Sequence, residues 1–538
     1  HYDVQKDCFS MPKDNPHQYD AVVIGSGHNG LIAAAYLAKA GQSVLVLEKN
    51  NTFGGATASQ RIFPDYDALL SRYSYLVSLL PHRITDDLRL DFKSRRRSTA
   101  SFTPWCDVGG RQRGLVLSNV DEHRSRDSMF EMTGKHSSWN RYQEFLSLQA
   151  EIASIIWPTM LQPLKHRKNF EAELKTDAQR LAWRSFVERP LGESIESYAD
   201  HDALRGLLLT DGKIGVSTHA HDPALLQNRC FLYHIIGNQT GEWRVPVGGM
   251  KQLVDSLLLR CKDFNVDFVA NAPATHIEVG KNQHSVTFET NGQAKLVAAT
   301  NVLVNAGPRT FASLLNQSWS PSEPNDGSVF KMNMLLRRLP SLKATGVNAK
   351  EAFSGSLHID EGYEQLAASF NSASKGEVPI PPPGEVYCHT LTDDSILSDE
   401  LAQKGYQTLT LFGLDMPWRL FESNHDQTKA RVTQLYLDGL NQLCAEPIEE
   451  CLAIDANGEP CIEAKTPQEL QTEIDLDRGN IFHNELSWFY GNEESQGTWG
   501  VETEFPRIYR AGSSATRGGA VSGIPGHNAA MCILEKQL

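Results

Sequence analysis

The sequence predicts an α/β fold whose main domain is assembled from segments that lie far apart in the chain. A strand, a glycine-rich loop, a helix and a second strand follow one another near the N-terminus. Short apolar, β-branched runs return in the middle of the chain, and a second glycine-rich loop opens the last helix. Apolar strands that alternate with helices are typical of a parallel sheet covered by helices.

The N-terminal unit begins with "YDAVVIG", a run that predicts a strand buried on both faces. Gly25, Gly27 and Gly30 follow as G-x-G-x-x-G, and an Ala-rich helix leads to "SVLVLE", a second strand that ends at Glu48. In a dinucleotide site these glycines permit the tight turn, the approach of a pyrophosphate and close helix packing, while the acid accepts hydrogen bonds from ribose hydroxyls. We therefore expect these four residues, together with Ser26, to bind a dinucleotide.

The residues after Glu48 point to FAD as that dinucleotide. Gly54 and Gly55, in "EKNNTFGGATAS", would let a second backbone segment approach the same pyrophosphate, and Ala56 follows them. This pair is typical of FAD-binding proteins rather than of simple NAD dehydrogenases, and the acid disfavours the 2′-phosphate of NADP. A purely structural βα turn would explain the first three glycines but not Glu48.

The stretch "RAGSSATRGGAVSGIPGHNAA" near the C-terminus has similar ingredients. "PRIYRAG" predicts a short strand that runs into Gly512, and the following helix has Pro525 in its first turn, where the missing N–H costs nothing. The glycines leave main-chain donors open, and the positive end of the helix would face the flavin edge that becomes anionic on reduction. We predict that the two loops hold the two ends of one extended FAD. The alternative is an unusual C-terminal cap.

Five segments spread over most of the chain share one resemblance. They are "DAVVIGSGHNGLIAAAYLAKAGQSVLVLEKNNTFGGA", "WRVPVGGMKQLVDSL", "TNVLVNAGPRTFASLL", "TPQELQTEIDLDRGNIFHNELS" and "RIYRAGSSATRGGAVSGIPGHNAA". Together they resemble the phytoene desaturase-related FAD oxidoreductases, most closely the branch of pyridine nucleotide-disulphide oxidoreductase domain proteins. The resemblance implies a flavin fold that is shared with monoamine oxidases and Rab escort proteins.

The resemblance also implies roles for individual residues. It places the glycines and Glu48 of the first unit on the ADP half of FAD and a backbone contact to adenine at Ala274. On the ribityl and flavin side it places Gly512, Ser513, Gly519, Ala520 and Val521. The sequence departs from the family pattern in "NAGPRT", where many relatives carry Ala-Asp-Pro, and at Ser513, where amine oxidases commonly carry an acid.

The order of elements predicts a Rossmann-like FAD-binding domain of discontinuous segments, with an inserted α+β substrate domain and a helical subdomain. Residues 18–110, 241–324 and 471–538 would form the FAD-binding domain. Residues 111–240 are predicted to be mostly helical, because "NRYQEFLSLQAEIASII" is amphipathic. Residues 325–470 would form the sheet-containing part, since "SVFKMNMLLRRL", "EVYCHTL" and "YQTLTLFGL" predict strands.

Composition limits the partners and the compartment. The chain has 538 residues and a net charge of −14, which argues against nucleic acid as a partner. Its nine cysteines are scattered without a C-x-x-C motif, so we expect neither a zinc site nor a disulfide framework, but a reducing, cytoplasmic compartment. Two basic runs, "KSRRRS" and "KHRK", are expected on solvated faces; in an alternative interpretation they contact anionic lipid headgroups. Oligomeric state stays open.

A flavin takes a hydride at N5 from a C–H bond about 3 to 3.5 Å away, so the expected pocket is apolar and aromatic, with one base and no metal. The stretch "IFHNELSWFYGNEESQGTWG" directly precedes the last loop. His483 or Glu485 could move a proton there, and three aromatic residues could line a pocket. These are Trp488, Tyr490 and Trp499. The alternative is a packed connector.

A second stretch, "LLSRYSYLVSLL", follows the glycine pair and would cross near the flavin ring. Tyr73 is the catalytic candidate there, with Arg72 and Tyr75 beside it; packing or solvation would explain these residues equally well. "THAHDP" offers His219, His221 and Asp222, but without a third partner of suitable spacing it is interpreted as a loop.

We therefore expect an FAD-dependent oxidase or dehydrogenase that removes a hydride from an organic small molecule. Desaturation of a C–C bond in an apolar substrate is the first interpretation, and it comes from the resemblance. Oxidation of a C–N bond, as in flavin amine oxidases, is the alternative. A non-catalytic escort protein for lipidated partners is a third, although the presence of both loops argues against it.

Overall fold

The structure is a computed structural model that describes residues 18–321 and 326–536. The predicted domain boundary at 324 and the last two residues of the segment 471–538 lie outside the described residues. Two seven-stranded sheets and a helical layer make up the described chain. Its α-helices are His28–Lys39, His82–Asp87, Glu122–Thr133, His136–Ile156, Arg167–Ala172, Asp177–Trp183, Leu191–Tyr198, Asp202–Thr210, Leu226–Ile235, Lys251–Asp263, Pro308–Leu314, Ala349–Phe353, Tyr363–Ser374, Asp399–Gln403, His425–Leu443, Pro467–Ile474 and Ile524–Glu535.

The first sheet contains the strands on either side of both glycine loops. In spatial order its strands are Ala274–Glu278, His284–Thr290, Gln293–Val304, Gln18–Ile24, Val44–Leu47 and Asp267–Val269, and Ile508–Arg510 pairs with Gln293–Val304. Ile24 lies opposite Leu47 on one side and Val304 on the other, in parallel register, and Val304 lies opposite Arg510. Val269 lies opposite Leu47 in the same way, so five parallel strands end together at one edge. Ligands of open α/β sheets bind outside this carboxyl edge.

The helices that follow the two glycine loops pack against each other. The first helix is rich in Ala, and eleven of its residues are buried, which allows a close approach. At Gly526, in the first turn of Ile524–Glu535, a Cβ would lie only 2.0 Å from the carbonyl oxygen of Asn29, in the first turn of the other helix. The N-termini of the two helices are therefore neighbours. The predicted position of Pro525 in the first turn is confirmed.

The second sheet is built mostly from the middle of the chain. Its strands are, in spatial order, Ile462–Lys465, Ser328–Leu336, Gln407–Pro417, Gly384–Tyr387, Ser356–Ile359, Thr99–Cys106 and Gln112–Ser118. The hairpin of the last two strands crosses the predicted boundary at 110, which is therefore wrong. Phe102 and Val116, one on each of these strands, are buried in the core of this second sheet, and that burial determines the hairpin's place.

The helical layer lies between residues 122 and 235 and packs on the second sheet. Its longest helix, His136–Ile156, buries Phe145, Ile152 and Ile156 on one face, as its apolar spacing predicts. The predicted α/β fold class, with helices and a second sheet added to a Rossmann-like domain, is confirmed. No described helix has both the length and the apolarity needed to cross a bilayer.

Candidate active site

The first glycine loop closes tightly at the end of the first strand. A Cβ at Gly30 would lie 2.2 Å from the carbonyl oxygen of Gly25, so a larger residue would push the helix away from the strand. Gly27 forms a parallel bridge with Gly54, which brings the glycine pair to the loop. The N–H of Gly54 donates to the carbonyl of Ser26 at 3.1 Å. Two backbone segments thus meet at one point, as the sequence predicts.

Glu48 is buried beside this loop and binds it through both carboxylate oxygens. Its Oε2 accepts from the Ser26 N–H at 3.0 Å and from the Ser26 hydroxyl at 2.5 Å, and its Oε1 accepts from the Asn50 N–H at 2.9 Å. Oε1 keeps a further lone pair, whereas Oε2 already accepts two hydrogen bonds. The carbonyl of Glu48 accepts from the N–H of Ala272, so the chain that leads to Ala274 passes beside the acid. The residues assigned to the ADP half are therefore neighbours.

The two glycine loops meet through Asn305, a residue in the departing segment "NAGPRT". The Asn305 amide donates to the carbonyls of Gly25 at 3.3 Å and Gly27 at 3.4 Å. A Cβ at Gly512 would lie 2.5 Å from the Oδ1 of the same side chain. The loops are thus two walls of one cleft, although nearly the whole chain separates them. Sequence reasoning did not assign a role to Asn305.

Arg517 supports the last loop from behind. It is 1% exposed, and its guanidinium donates to the carbonyls of Thr159 at 2.8 Å, Gln162 at 2.7 Å and Trp499 at 3.1 Å. Burial lowers its pKa to about 10, which leaves it charged at neutral pH. The loop is therefore anchored to the helical layer by a side chain, while its own main chain and small residues face the cleft. Those residues include Ser513 and Ala520.

The cleft fits the cofactor that the fold family implies. Two helix N-termini point into it, and helix N-termini attract phosphate. Three buried polar atoms, two in the first turn of the first helix and one in the last loop, have no hydrogen-bond partner within the described ranges: His28 Nε2, Asn29 Oδ1 and Ser514 Oγ. Buried polar atoms are normally paired, so these three are suited to a polar ligand. The residues that would hold FAD are those of the two loops, with Glu48 at the ribose.

One cavity of about 350 Å³ adjoins both loops. His28 and Ala56 line it beside the first loop, and Ser513, Ala520 and Val521 line it from the last. Most of the remaining wall is apolar or aromatic. These side chains are Tyr73, Tyr75, Leu76, Ala100, Leu117, Tyr142, Leu146, Leu207, Leu208, Ile214, Phe231, Trp243, Val329, Tyr387, Phe412, Leu470, Leu476 and Ile481.

Two of the three predicted catalytic residues reach this cavity. His483 lines it, is half-buried, and has a buried Nδ1 without a partner among the described residues. Desolvation lowers its pKa to about 4, so the ring is neutral at pH 7. Tyr73 also lines it, and its hydroxyl donates to Glu473 at 2.7 Å. Tyr75 lies beside it on the wall, whereas Arg72 pairs with Glu463.

The third predicted catalytic residue lies elsewhere. Glu485 pairs with Arg229 at 3.0 Å, its side chain is 45% exposed, and it is not part of the cavity wall. Trp488 and Tyr490 stack on each other against the helical layer, and the Trp499 indole donates to Glu535 at 2.9 Å. None of the three aromatic residues expected to line a pocket is part of this cavity wall, so the arrangement agrees with the alternative of a packed connector. The aromatic side chains of Trp488, Tyr490 and Trp499 pack in or against the hydrophobic core instead.

Sequence reasoning missed a polar cluster on the cavity wall. It consists of Arg97, Asp211, His358, Glu385 and Tyr387, which come from four distant segments. Tyr387 donates to Glu385, and His358 pairs with a carboxylate behind the wall, that of Glu361. His358, Glu361 and Glu385 are also close enough to share a metal ion. The only hint in the sequence is the charge inside otherwise apolar strands, as in "GEVY".

Lys331 is the other missed residue. It lies in the fully buried strand Ser328–Leu336 and lines the cavity, with its ammonium 4.7 Å from the centre of the Tyr75 ring and 2.9 Å from Asn333 Oδ1. Desolvation lowers its pKa to about 7, opposed by the charge of Glu463. A wall residue with a pKa near neutrality can give or take a proton at physiological pH.

The basic runs are largely paired rather than free. Arg95 and Arg96 pair with Asp393 and Glu242, and three of the four residues of the second run pair with Glu171 or Glu493. Arg97 corrects the expectation of a solvated face, because it is buried in the cavity wall. Contact with a membrane stays a prediction.

In "THAHDP", His221 pairs with Glu196, and Asp222 accepts a hydrogen bond from Thr218. The His219 ring lies beside the Phe370 ring. The three predicted loop residues therefore have separate partners.

Comparisons with known proteins agree with this geometry. Residues 23–87 match the family described as NAD(P)-binding Rossmann-like domain. The chain is 39% identical to an uncharacterized protein of Mycobacterium tuberculosis over 97% of this chain and 98% of that protein. It is 28% identical to pyridine nucleotide-disulfide oxidoreductase domain-containing protein 2 of Rattus norvegicus, over 96% of this chain and 94% of that protein. The chain belongs to the same family as the mycobacterial protein and is a homologue of the pyridine nucleotide-disulfide oxidoreductase domain-containing proteins.

This assignment confirms the resemblance that the segments indicate, and it makes the chain an oxidoreductase. Among solved structures, a variant of putrescine oxidase is similar with a TM-score of 0.55 and 17% identity, over 96% of this chain and 99% of that one. At this identity the likeness supports the fold: a Rossmann-like domain of separated segments with a second sheet beside it.

Proposed function

We propose that this chain holds one FAD between its two glycine loops and removes two hydrogens from an organic substrate in the adjoining cavity. The observation that carries this proposal is the cavity wall, which includes His28 and Ala56 beside the first loop and Ser513, Ala520 and Val521 of the last. Bound FAD would supply the acceptor for a hydride. The chain itself would hold the substrate against the last loop and exclude water around it.

A C–C bond is the first candidate for the bond that is dehydrogenated. The largely apolar wall supports a substrate with an apolar body, and so does the resemblance of the sequence to phytoene desaturase-related oxidoreductases. Asp211 and Glu385 support the second candidate, oxidation of a C–N bond, because a carboxylate on the wall can pair with a protonated amine. Membership of an oxidoreductase family favours either reaction over an escort protein.

Removal of the second hydrogen as a proton requires an acceptor on the wall, and we assign it to Lys331. Its pKa of about 7 leaves a large fraction of the amine neutral near pH 7, while the basicity is retained. His483, with a pKa lowered to about 4, is a weaker base. The Tyr73 hydroxyl already donates to Glu473, so Tyr73 shapes the wall instead.

The experiment combines cofactor content with product analysis. The purified protein should release one FAD per chain, and anaerobic addition of a saturated apolar substrate should bleach the flavin and give a product two hydrogens lighter. Leu207→Trp should fill the cavity and lower turnover roughly tenfold or more while FAD is retained. Leu181→Trp, at an exposed leucine, is the control. A protein without FAD contradicts the proposal, and bleaching by amines alone replaces the first candidate with the second.

A further inference from the structure

Two charged groups of the polar cluster line the same cavity without forming an ion pair with each other. Asp211 follows the helix Asp202–Thr210 and lines the cavity, and no described residue donates a hydrogen bond to its carboxylate. Arg97 is 9% exposed and donates through Nε to the Trp243 carbonyl at 3.2 Å and through Nη1 to the Ser356 hydroxyl at 3.0 Å. Its Nη2 has no hydrogen-bond partner in the described chain.

The two groups are close enough to interact but not to pair. Their charged atoms are not within the 4.0 Å of an ion pair. Desolvation raises the pKa of Asp211 to about 6, and the charges of His358 and Arg97 oppose that rise. Burial lowers the pKa of Arg97, and the charges of Tyr387, Glu385 and Asp211 oppose that fall. A donor of the buried Arg97 and the half-buried carboxylate of Asp211 thus line one cavity, and each lacks a hydrogen-bond partner among the described residues.

The other acids of the region are already engaged. Glu385 accepts the hydroxyl of Tyr387, and Glu361 is paired with Nδ1 of His358. Arg97 and Asp211 differ from them, because the Nη2 of Arg97 and the carboxylate of Asp211 have no hydrogen-bond partner among the described residues and both side chains line the cavity. An ammonium group would pair with Asp211 but leave the Arg97 Nη2 without an acceptor, and a carboxylate would pair with Arg97 but leave Asp211 without a donor. An uncharged group that both donates and accepts would satisfy both.

We propose that the gap between Arg97 and Asp211 binds an uncharged polar group of the substrate, a hydroxyl, which accepts from Arg97 and donates to Asp211. The substrate class is therefore an amphipathic alcohol: an apolar body along the wall and a hydroxyl at the polar cluster. This inference deepens the proposed function and rests on it. Asp211 and Arg97 are specificity-determining residues in this account, since they would fix which end of the substrate faces away from the last loop.

The test compares ligands of equal length that differ only at one end. Calorimetry at about pH 8, where Asp211 is ionised, would measure binding of 1-decanol, decyl methyl ether, decylamine and decanoate to the FAD-loaded protein. The alcohol should bind roughly tenfold or more tightly than the ether, which accepts but cannot donate, and more tightly than either ion. FAD content is measured separately, so a failure of the proposed function is seen independently of the ligand ranking.

Two variants should change the ranking in opposite directions. Asp211→Leu leaves Arg97 uncompensated, so decanoate should become the best ligand; Arg97→Met leaves Asp211 uncompensated, so decylamine should. Asp360→Asn is the matched control, because Asp360 is another carboxyl whose pKa burial raises to about 6 and it lies outside the cavity wall. Its positive φ of 52° suits Asn.

If a variant does not fold, the ranking of the four ligands by the wild-type protein is sufficient to test the inference. Tightest binding of decylamine or of decanoate by the wild-type protein overturns it. An alcohol that binds no better than its methyl ether overturns it as well, and so does a ranking that is the same in wild type, Asp211→Leu and Arg97→Met.

Discussion

The cofactor cleft and the polar cluster of the cavity adjoin each other but are built by different means. In the cleft, main-chain groups and small residues form the surface, and large side chains such as Arg517 stay behind it. In the polar cluster, charged side chains form the surface. They come from segments as distant as Arg97 and Glu385.

This difference determines whether each region can be recognised as a motif in the sequence. A main-chain site needs residues without side chains at fixed short spacings, so it appears as a motif. A side-chain site needs only that the fold brings charged residues together, and their spacing along the chain is free. Variants in the two regions should therefore differ in effect. Variants on the cavity wall should change substrate binding or turnover, whereas variants in the cofactor cleft should change the position of a loop and the affinity for FAD.

The largest expected effect belongs to a side chain of the cavity. Lys331→Met removes the proposed proton acceptor, so the rate of flavin bleaching by substrate should fall by roughly 100- to 10,000-fold while FAD stays bound. In the wild type the rate should rise with pH through about 7, because the neutral amine accepts the proton, and reach a plateau above it. Stopped-flow bleaching across this pH range measures both effects.

The environment of Lys331 supplies the controls for that experiment. Glu463 raises its pKa and His389 lies nearby, while His483 titrates near pH 4, well below the range. His483→Gln should therefore keep the inflection near pH 7, and Glu485→Gln, outside the wall, should keep both rate and profile. An inflection that persists in Lys331→Met contradicts the assignment.

An intermediate effect is expected behind the cleft. Arg517→Met leaves three carbonyls without their donor, so the free energy of unfolding should fall by about 3 kcal/mol and FAD affinity should fall with it. Arg189→Met, at an exposed ion pair with Glu193, should leave both unchanged. Urea unfolding of the flavin-free and flavin-loaded forms checks this. Unchanged stability of the flavin-free Arg517→Met protein would show that the loop does not depend on this anchor.

The fold and the cleft were largely predictable from the sequence, for local reasons. The glycine spacing, the acid at the end of the second strand and Pro525 in a first helical turn each depend on neighbours within a few residues. The role of Asn305 was not predicted, because its partners are two loops at opposite ends of the chain. For a similar reason the sequence did not predict the cavity residues Asp211, Lys331 and Arg97. Only the assembled sheet and helical layer show which charged residues point inward.

The errors have the same origin. Glu485 and the aromatics near it lie close in sequence to the last loop, but the chain turns away and Arg229 holds the carboxylate outside the cavity. Likewise, the boundary at 110 divides a hairpin whose pairing with Ser356–Ile359 is decided far along the chain. Proximity in sequence predicts a shared site only where the main chain itself forms the site.

The most direct test of the account asks whether one FAD contacts both loops. Dissociation constants for FAD and for ADP would be measured in the wild type, Glu48→Gln and Ala520→Leu, with Ala520→Gly as the control that suits the positive φ of this position. Glu48→Gln should weaken both ligands alike, whereas Ala520→Leu should weaken FAD roughly tenfold, about 1.4 kcal/mol, and leave ADP unchanged. FAD affinity that is unchanged in Ala520→Leu would contradict the account.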